Sequence, residues 1–413
     1  MSTSSWGKAF LARLSIVGAI VATALTVLLA HAALSAEEDR PLTGAFHRTS
    51  ILAPTGFSTP GAVLGAPASL VVTQKTEVLG ARAREPMIIE HPNGALFVSG
   101  FGQEDPKLWK SADHGATWSR VTVGTTADGA LGNSDVDLAV ARDGTLYFVS
   151  MTFDRASRAG LRIAIGVSRD AGGTWSWTTL SETRGDDRPW VDVAPDGRAH
   201  VIWNDGNGVN HAVSRDRGAT WVREQRVHDH GGSSHMAIGP RGEVAVRVTP
   251  ASKSGFQFDK DVDLIAVSED AGKTWRKHAA PGARPWTSGF DDRWVEPLAW
   301  DGRGALYSFW TVEKELWLAR SNDRGATWTQ WQVGHSADTS FYPYLIAHGD
   351  GEVAATWFSR SGDTLQWHAE TIRVSRGDAR PRVTESPALP TDSEWAPSDH
   401  DARPTSAGSG TVT

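Results

Sequence analysis

The chain has 413 residues, a formal net charge of −7 and no cysteine. Without cysteine there can be no disulfides, zinc–thiolate centres or cysteine nucleophiles. The acidic balance, with Lys and Arg scattered along the chain, argues against a nucleic-acid partner. The 19 tryptophans call for extensive core packing or for a surface that stacks on flat ligands.

The N-terminal segment has the pattern of an export signal. Lys8 and Arg13 precede an apolar run over residues 14–30, and the small-residue sequence Ala30-His31-Ala32 is followed by acidic residues. We predict residues 1–32 to be a signal peptide cleaved after Ala32 or, because the run is long for a signal, an uncleaved anchor. Either alternative predicts an exported protein, periplasmic or secreted, that contacts a membrane only through this segment.

Two segments have the composition of unstructured chain. Residues 33–68 are rich in Pro, Gly, Ser, Thr and Ala without hydrophobic periodicity, which predicts a flexible linker. Residues 386–413 have a similar composition with added Asp and are predicted to be a disordered tail. The folded body is therefore placed at residues 69–385.

Within this body, an apolar segment, a glycine-containing turn and a second apolar segment recur six times. Many of the turns hold Asn-Gly, Asp-Gly or Arg-Gly pairs, which suit tight hairpins because glycine takes a positive φ at little cost. Each copy therefore predicts two adjacent antiparallel strands. The copies begin at Pro86, Val136, Trp190, His235, Trp294 and Tyr344.

The octapeptide S-x-D-x-G-x-T-W follows each of the first five hairpins, with a short strand before it and another after it. Its period of about fifty residues indicates a repeat architecture. Four strands per unit and six units predict an all-β fold, a six-bladed β-propeller. Since the Ser and Asp side chains can bond turn amides, we interpret the octapeptides as structural. They begin at Ser111, Ser168, Ser214, Ser268 and Ser321.

The sixth unit has no octapeptide. Residues 69–78 form an apolar segment where a fourth strand would precede the first hairpin. We therefore expect this N-terminal strand to complete the sixth blade and close the ring.

Ligands are expected at one end of the propeller. The octapeptides and the first hairpin turn of each unit share an end, so the strand entries meet at the other, where loops are free to vary. Arg84, Arg188 and Arg293 recur at these entries and are expected to bind an anionic group through bidentate hydrogen bonds. Trp190 and Trp294 are expected to stack on a sugar, with packing between blades as the alternative.

The octapeptides resemble the Asp boxes of the bacterial neuraminidase repeat, and residues 69–383 resemble the sialidase superfamily. Asp boxes also occur in other enzymes and in binding proteins. The resemblance implies three arginines that hold the sialate carboxylate, a tyrosine nucleophile assisted by a glutamate, and an aspartic acid that protonates the leaving group.

Several residues match this pattern by position. Tyr342-Pro343-Tyr344-Leu345 is similar to the family's Y-S-x-L sequence, which implies Tyr342 as the nucleophile. Arg84-Glu85-Pro86 matches the R-I-P motif of the first arginine, and Arg247 falls at the second arginine. The acid is expected in the loop that leaves the first hairpin, where Glu104 and Asp105 lie, and we assign it to Asp105.

Two positions depart from the pattern. Ser233-Ser234-His235 replaces the family glutamate, and Glu313-Lys314 replaces the third arginine. A phenol, with a pKa of about 10, is a poor nucleophile without a neighbouring base. We expect His235 or Glu296 to substitute for the glutamate, and Arg293 or Lys314 to supply the missing positive charge.

The sequence leaves three functions open. The first is an exported sialidase-type glycoside hydrolase that acts on an anionic, sialic acid-like glycan. The second is a non-catalytic propeller that binds glycans or a cell-envelope protein, and the third is a polysaccharide lyase that acts on uronates. We expect a monomer without a cofactor or a metal, and we interpret the run His228-Asp229-His230 as a solvated loop.

Overall fold

The computed structural model describes residues 46–52, 71–77, 79, 83–102, 105–130, 132–249, 263–283, 297–336, 339–361, 364–375, 379–385, 389–390 and 403–404. Within these ranges, six sheets of four or five strands follow one another along the chain as the blades of a propeller. The predicted six-bladed β-propeller is therefore confirmed. No helix in the described ranges is long and apolar enough to cross a membrane. The predicted signal or anchor at residues 1–32 lies outside them.

Each blade contains four consecutive strands, and the first of them is the innermost. Blades 1 and 2 contain β3 (Arg84–Glu90), β4 (Leu96–Phe101), β5 (Pro106–Ser111) and β6 (Ser119–Val121), then β7 (Ser134–Val140), β8 (Leu146–Asp154), β9 (Ala159–Ser168) and β10 (Ser176–Ser181). Blades 3 and 4 contain β11 (Asp186–Val193), β12 (Ala199–Asp205), β13 (Val209–Ser214) and β14 (Val222–Arg223), then β15 (Gly232–Ile238), β16 (Val244–Thr249), β17 (Leu264–Ser268) and β18 (Arg276–Ala279). Blades 5 and 6 contain β19 (Leu298–Trp300), β20 (Leu306–Val312), β21 (Glu315–Ser321) and β22 (Thr329–His335), then β23 (Ser340–His348), β24 (Glu352–Ser361), β25 (Thr364–Arg373) and β26 (Arg382–Glu385). A single turn of 3-10 helix covers Thr126–Asp128.

Burial is lowest at the outer strand of each blade. All residues of β12 and β16, the polar ones included, are buried, because neighbouring blades cover both faces of the sheet. The outer strands β14 and β18 are short and mostly exposed, as suits an edge strand that must not pair with another molecule.

The five octapeptides form one repeated turn. In the third, Ser214 Oγ donates to Asp216 Oδ1 at 2.9 Å and accepts from the Gly218 N–H at 2.8 Å. The Thr220 N–H and hydroxyl donate to the same carboxylate at 2.8 and 2.6 Å. Equivalent bonds hold the other four turns. The bonds from Thr220 lower the pKa of Asp216 to about 2. The role of this carboxylate is therefore to accept the hydrogen bonds of the turn.

The ring closes differently from the prediction. Strand β2 (Val71–Glu77), in the segment expected to complete blade 6, pairs instead with β1 (Phe46–Leu52). The fourth strand of blade 6 is β26, which pairs with β25. The closure prediction is wrong because a strand that follows directly along the chain can pair at a lower entropic cost than a distant one.

Short strands also occur in the ranges whose composition predicted unstructured chain. β1 lies within residues 33–68, and two strands lie within residues 386–413. These are β27 (Leu389–Pro390), which pairs with β25, and β28 (Arg403–Pro404), which pairs in parallel with β3.

Side chains connect the innermost strands around the central channel, which holds a cavity of about 100 Å³. The Val191 N–H donates to Asp137 Oδ2 at 2.9 Å, which joins blade 3 to blade 2. The Ile238 N–H donates to Asp192 Oδ2 at 3.0 Å, which joins blade 4 to blade 3. Trp300 Nε1 donates to the Ala237 carbonyl at 3.2 Å, which joins blade 5 to blade 4.

Candidate functional site

The strand entries gather at the end of the propeller opposite the octapeptides, and we call this end the mouth. In blade 1, Arg84 at the start of β3 pairs with Phe101 at the end of β4, whereas the hairpin turn lies between Glu90 and Leu96. The loops between the second and third strands therefore lie at the mouth as well. This arrangement agrees with the placement expected from strand order.

A bulge interrupts the innermost strand at the mouth in the five blades whose entries the structure describes. In blades 1, 3 and 6, the bulge holds a residue followed by proline. Glu85, Arg188 and Tyr342 occupy this position with φ of 49°, 46° and 51°. Positive φ is costly for residues with a Cβ, and such strain concentrates at functional sites. The bulges lie between Arg84 and Met87, Ser134 and Val136, Asp187 and Trp190, Ser233 and His235, and Phe341 and Tyr344.

The bulges correct the expected equivalence of the entry arginines. Arg84 occupies the register position of Asp187, one residue before the bulge residue, whereas Arg188 is itself the bulge residue. A shift of one residue along a strand turns a side chain to the other face, so the two arginines are not equivalent. Arg84 is described by its backbone alone, and Arg293 lies outside the described residues.

Three aromatic residues follow the bulges directly. Trp190, His235 and Tyr344 line the channel cavity from blades 3, 4 and 6, and we call them the aromatic cluster. The ring centroids of Trp190 and His235 are 6.2 Å apart, and those of His235 and Tyr344 are 5.7 Å apart. All three side chains are buried. Trp190 therefore packs between blades, in agreement with the alternative stated for it, and sugar stacking on Trp190 stays a prediction.

Two adjacent aspartates at the entry of blade 3 have different environments. Asp186 is fully buried, and its two oxygens accept from Ser181 Oγ and the Thr183 N–H, both at 2.9 Å. Asp187 is partly exposed at the mouth. Burial of its carboxyl and the nearby charge of Asp135 raise the pKa of Asp187 to about 7, against the opposing effect of Arg188. No local sequence pattern distinguishes Asp187 from Asp186.

Arg247, expected to hold a substrate carboxylate, lies in a buried ion pair. Its Nη2 donates to Asp263 Oδ2 at 2.8 Å, and both side chains are 1% exposed. Its Nη1 lies 3.5 Å from Ser308 Oγ. A substrate carboxylate would have to compete with Asp263 for this guanidinium, and separating a buried pair is costly. Its role in substrate binding stays a prediction.

The remaining predicted residues are divided between the mouth and the undescribed part of the chain. Tyr342 is partly exposed at its bulge. Asp105, expected to be the acid, is exposed, and its two oxygens form ion pairs with Lys107 at 2.5 Å and Arg120 at 3.0 Å. Glu296 and Trp294 lie outside the described residues, and so does Glu104.

The His228-Asp229-His230 run forms a local turn. The His230 N–H donates to His228 Nδ1 at 3.1 Å, and the two rings are 6.1 Å apart. Among the residues that the structure describes, no three His, Asp or Glu side chains converge in a way that could hold a metal ion.

No known protein family and no curated protein matches the chain by sequence. Solved structures that it resembles include an unknown-function protein from Dyadobacter fermentans DSM 18053, at 16% identity and a TM-score of 0.48, over 71% of this chain and 95% of that one. Another is the Hadza microbial sialidase Hz136, at 14% identity and 0.44, over 77% and 72%. A third is an α-L-arabinanase from Penicillium chrysogenum, at 14% and 0.45, over 74% and 93%. At these identities and scores the likenesses assign no activity.

Proposed function

We propose that the chain is an exported glycoside hydrolase of the sialidase type that acts on an anionic glycan at the mouth of the propeller. The observation that carries the proposal is the equivalence of two bulges. Arg188 and Tyr342, both expected to be functional, take the same strained X-Pro position in blades 3 and 6. Equivalent positions around a propeller face the same axis, so the guanidinium and the phenol serve one site next to the aromatic cluster.

The proposed chemistry assigns each group a role. Tyr342 Oη attacks the anomeric carbon as the glycosidic C–O bond breaks, and the phenol proton passes to a carboxylate, for which Glu296 is the candidate. The departing oxygen receives a proton from an acid, and water then releases the sugar from Tyr342. Because Arg247 is bound by Asp263, we assign the substrate carboxylate to Arg188, with Arg293 as its predicted partner. Export rests on the N-terminal pattern.

The test is turnover of chromogenic glycosides by the purified chain, with a sialoside first and a uronide and an arabinofuranoside beside it. We expect turnover of the sialoside that is abolished in Tyr342→Phe and reduced at least tenfold in Arg188→Ala, since each variant removes a group from the reacting site.

Matched controls exist at the octapeptide side. The buried Tyr147 hydroxyl has no hydrogen-bond partner among the described residues, so Tyr147→Phe should keep full activity. Arg198 forms an ion pair with Asp196 at the hairpin turn of blade 3, so Arg198→Ala should also keep full activity. If the unmodified chain cleaves none of the glycosides, the proposed function is wrong.

The Arg247–Asp263 pair favours a second candidate, a non-catalytic propeller that binds glycans. A binding protein needs no complete catalytic set, and here one arginine of the expected set is already neutralised by an internal carboxylate. Glycan-array binding that is lost in Arg188→Ala, without product formation by the unmodified chain, would support this candidate over the hydrolase.

A further inference from the structure

Two acidic residues lie at the mouth on the adjacent entries of blades 2 and 3. Asp135 is the bulge residue of β7, and Asp187 stands directly before the bulge of β11. Asp135 Oδ1 accepts from Ser134 Oγ at 3.1 Å. The charge of Asp135 raises the pKa of Asp187, after the larger effect of burial. This carboxyl pair takes no part in the roles assigned so far.

The backbone fixes the position of Asp187. The Gly185 N–H donates to the Gly160 carbonyl at 2.9 Å, and Arg184 Nη2 donates to the Ser157 carbonyl at 3.1 Å. A Cβ built on Gly160 would lie 1.6 Å from the carbonyl oxygen of Asp186. The start of β9 in blade 2 is therefore in direct contact with the entry of β11, and Asp187 is held with little freedom.

The surroundings of the Asp187 carboxyl differ from those of Asp186 and Asp105. Asp135 and Asp186 disfavour its negative charge, and Arg188 favours it. Asp186 has both oxygens bonded within the protein, and Asp105 has both oxygens in ion pairs. Asp187 combines partial exposure at the mouth, a restricted backbone and the nearby charge of Asp135.

We propose that Asp187 is the general acid of this site, and that Asp135 acts on it through charge. The proposal rests on the proposed function and replaces Asp105 in that role. The Asp187 proton moves to the glycosidic oxygen as the C–O bond breaks, and the bonding electrons go to that oxygen, which leaves as a neutral alcohol. The Asp187 carboxylate then takes a proton from the water that releases the sugar from Tyr342.

The first test compares two leaving groups. The nitrophenolate of a nitrophenyl glycoside departs without protonation. The alcohol of an alkyl glycoside of the same sugar must be protonated by the acid as it departs. In Asp187→Asn, kcat/KM for the alkyl substrate should fall about 100-fold or more, and that for the nitrophenyl substrate by less than about tenfold. Asp196→Asn, at the opposite end, should change neither value more than about twofold. An equal loss on both substrates, or a leaving-group-dependent loss in Asp105→Asn, would overturn the proposal.

The second test uses the pH profile and leaves Asp187 in place. For the alkyl substrate, kcat/KM should fall on an alkaline limb set by the pKa of Asp187, which burial and then Asp135 raise above the usual range of a carboxyl. Asp135→Asn removes a negative charge that raises this pKa, so the alkaline limb should move to lower pH. An alkaline limb at the same pH in Asp135→Asn and in the unmodified chain would contradict the role of Asp135.

The outcomes separate the two proposals. If the unmodified chain cleaves neither substrate, the proposed function fails and the acid role fails with it. If it cleaves both and Asp187→Asn matches it on both, the acid role alone is wrong.

Discussion

The octapeptide end and the mouth of the propeller both contain non-glycine residues with positive φ, but they use them differently. In the third octapeptide, Arg217 has a φ of 60°, and four hydrogen bonds among its neighbours stabilise the turn. At the mouth, Glu85, Arg188 and Tyr342 share one backbone position but present three different side chains. The repeated end maintains the scaffold, and the end that varies in sequence is where chemistry can differ between blades.

Aspartate shows the same contrast. Hydrogen bonds from Thr220 and Ser214 lower the pKa of Asp216 to about 2, whereas burial and the charge of Asp135 raise that of Asp187 to about 7. One residue type therefore serves as a permanent acceptor at one end and as a carboxyl able to hold a proton at the other. The environment decides the role.

Glu370 in blade 6 breaks this contrast, because it is an unsatisfied carboxyl on the scaffold. It is fully buried, and neither oxygen has a hydrogen-bond partner among the described residues. Burial and then Glu385 raise its pKa to about 8. A carboxyl whose pKa rises on folding contributes full stability below its unfolded value and loses it as the pH rises toward 8.

Glu370→Gln removes this titration and gives the largest expected effect. Between pH 4.5 and pH 8, the free energy of unfolding of the variant should rise relative to the unmodified chain by roughly 4 kcal/mol. Urea unfolding at both pH values measures it, with Glu182→Gln, at an exposed glutamate of blade 2, as the control. Parallel pH profiles for Glu370→Gln and the unmodified chain would show that Glu370 has a partner that the contacts do not reveal.

Gly160→Ala should lower turnover more than it lowers the stability of the fold. The added methyl group must displace the backbone at Asp186, and a misplacement of this kind costs about 100-fold in turnover, with about 1–3 kcal/mol of stability. Gly197 lies at the hairpin turn of blade 3 with a φ of 87° and open space around it, so Gly197→Ala should lower stability alone. Equal activity in the two variants would mean that the entry of blade 3 tolerates displacement.

Ser214→Ala should have the opposite pattern. It removes the hydroxyl that accepts from the Gly218 N–H inside a buried turn, and an unsatisfied buried donor costs about 1–3 kcal/mol. Thermal unfolding should register this loss, while turnover per folded molecule stays unchanged. Ser176→Ala, at an exposed serine, is the control. A loss of turnover in Ser214→Ala beyond the loss of folded protein would mean that the octapeptide end affects the chemistry.

Asp105→Asn should have the smallest effect. The ion pairs with Lys107 and Arg120 are at the surface, where such pairs contribute less than about 1 kcal/mol. Chemical unfolding should therefore give nearly the same free energy as the unmodified chain. A larger change would place Asp105 in a network that extends beyond these two cations.

The parts of the structure that depend on neighbours along the chain could be predicted from the sequence. Ser214, Asp216 and Gly218 lie within one octapeptide, so their turn followed from local hydrogen bonding. The bulges that give Arg84 and Arg188 different register positions in their blades could not be predicted, because an extra residue in a strand leaves no clear sequence signal.

The parts that depend on distant neighbours could not be predicted. Asp263 neutralises Arg247 across adjacent strands, and Asp135 acts on Asp187 from another blade. The fourth strand of blade 6 is a further example, since the sequence predicted residues 69–78 in this position, which β26 occupies instead.

The side-chain bonds around the channel have a consequence for local opening. β11 and β15 end their sheets, so the Val191 and Ile238 amides find carboxylates of the preceding blades where a strand partner is lacking. Exchange of these two amide hydrogens with solvent requires the junctions between blades 2 and 3 and between blades 3 and 4 to separate. Blades 2 to 4 are thus expected to open as one cooperative unit, with slow exchange at positions that strand pairing alone would leave unprotected.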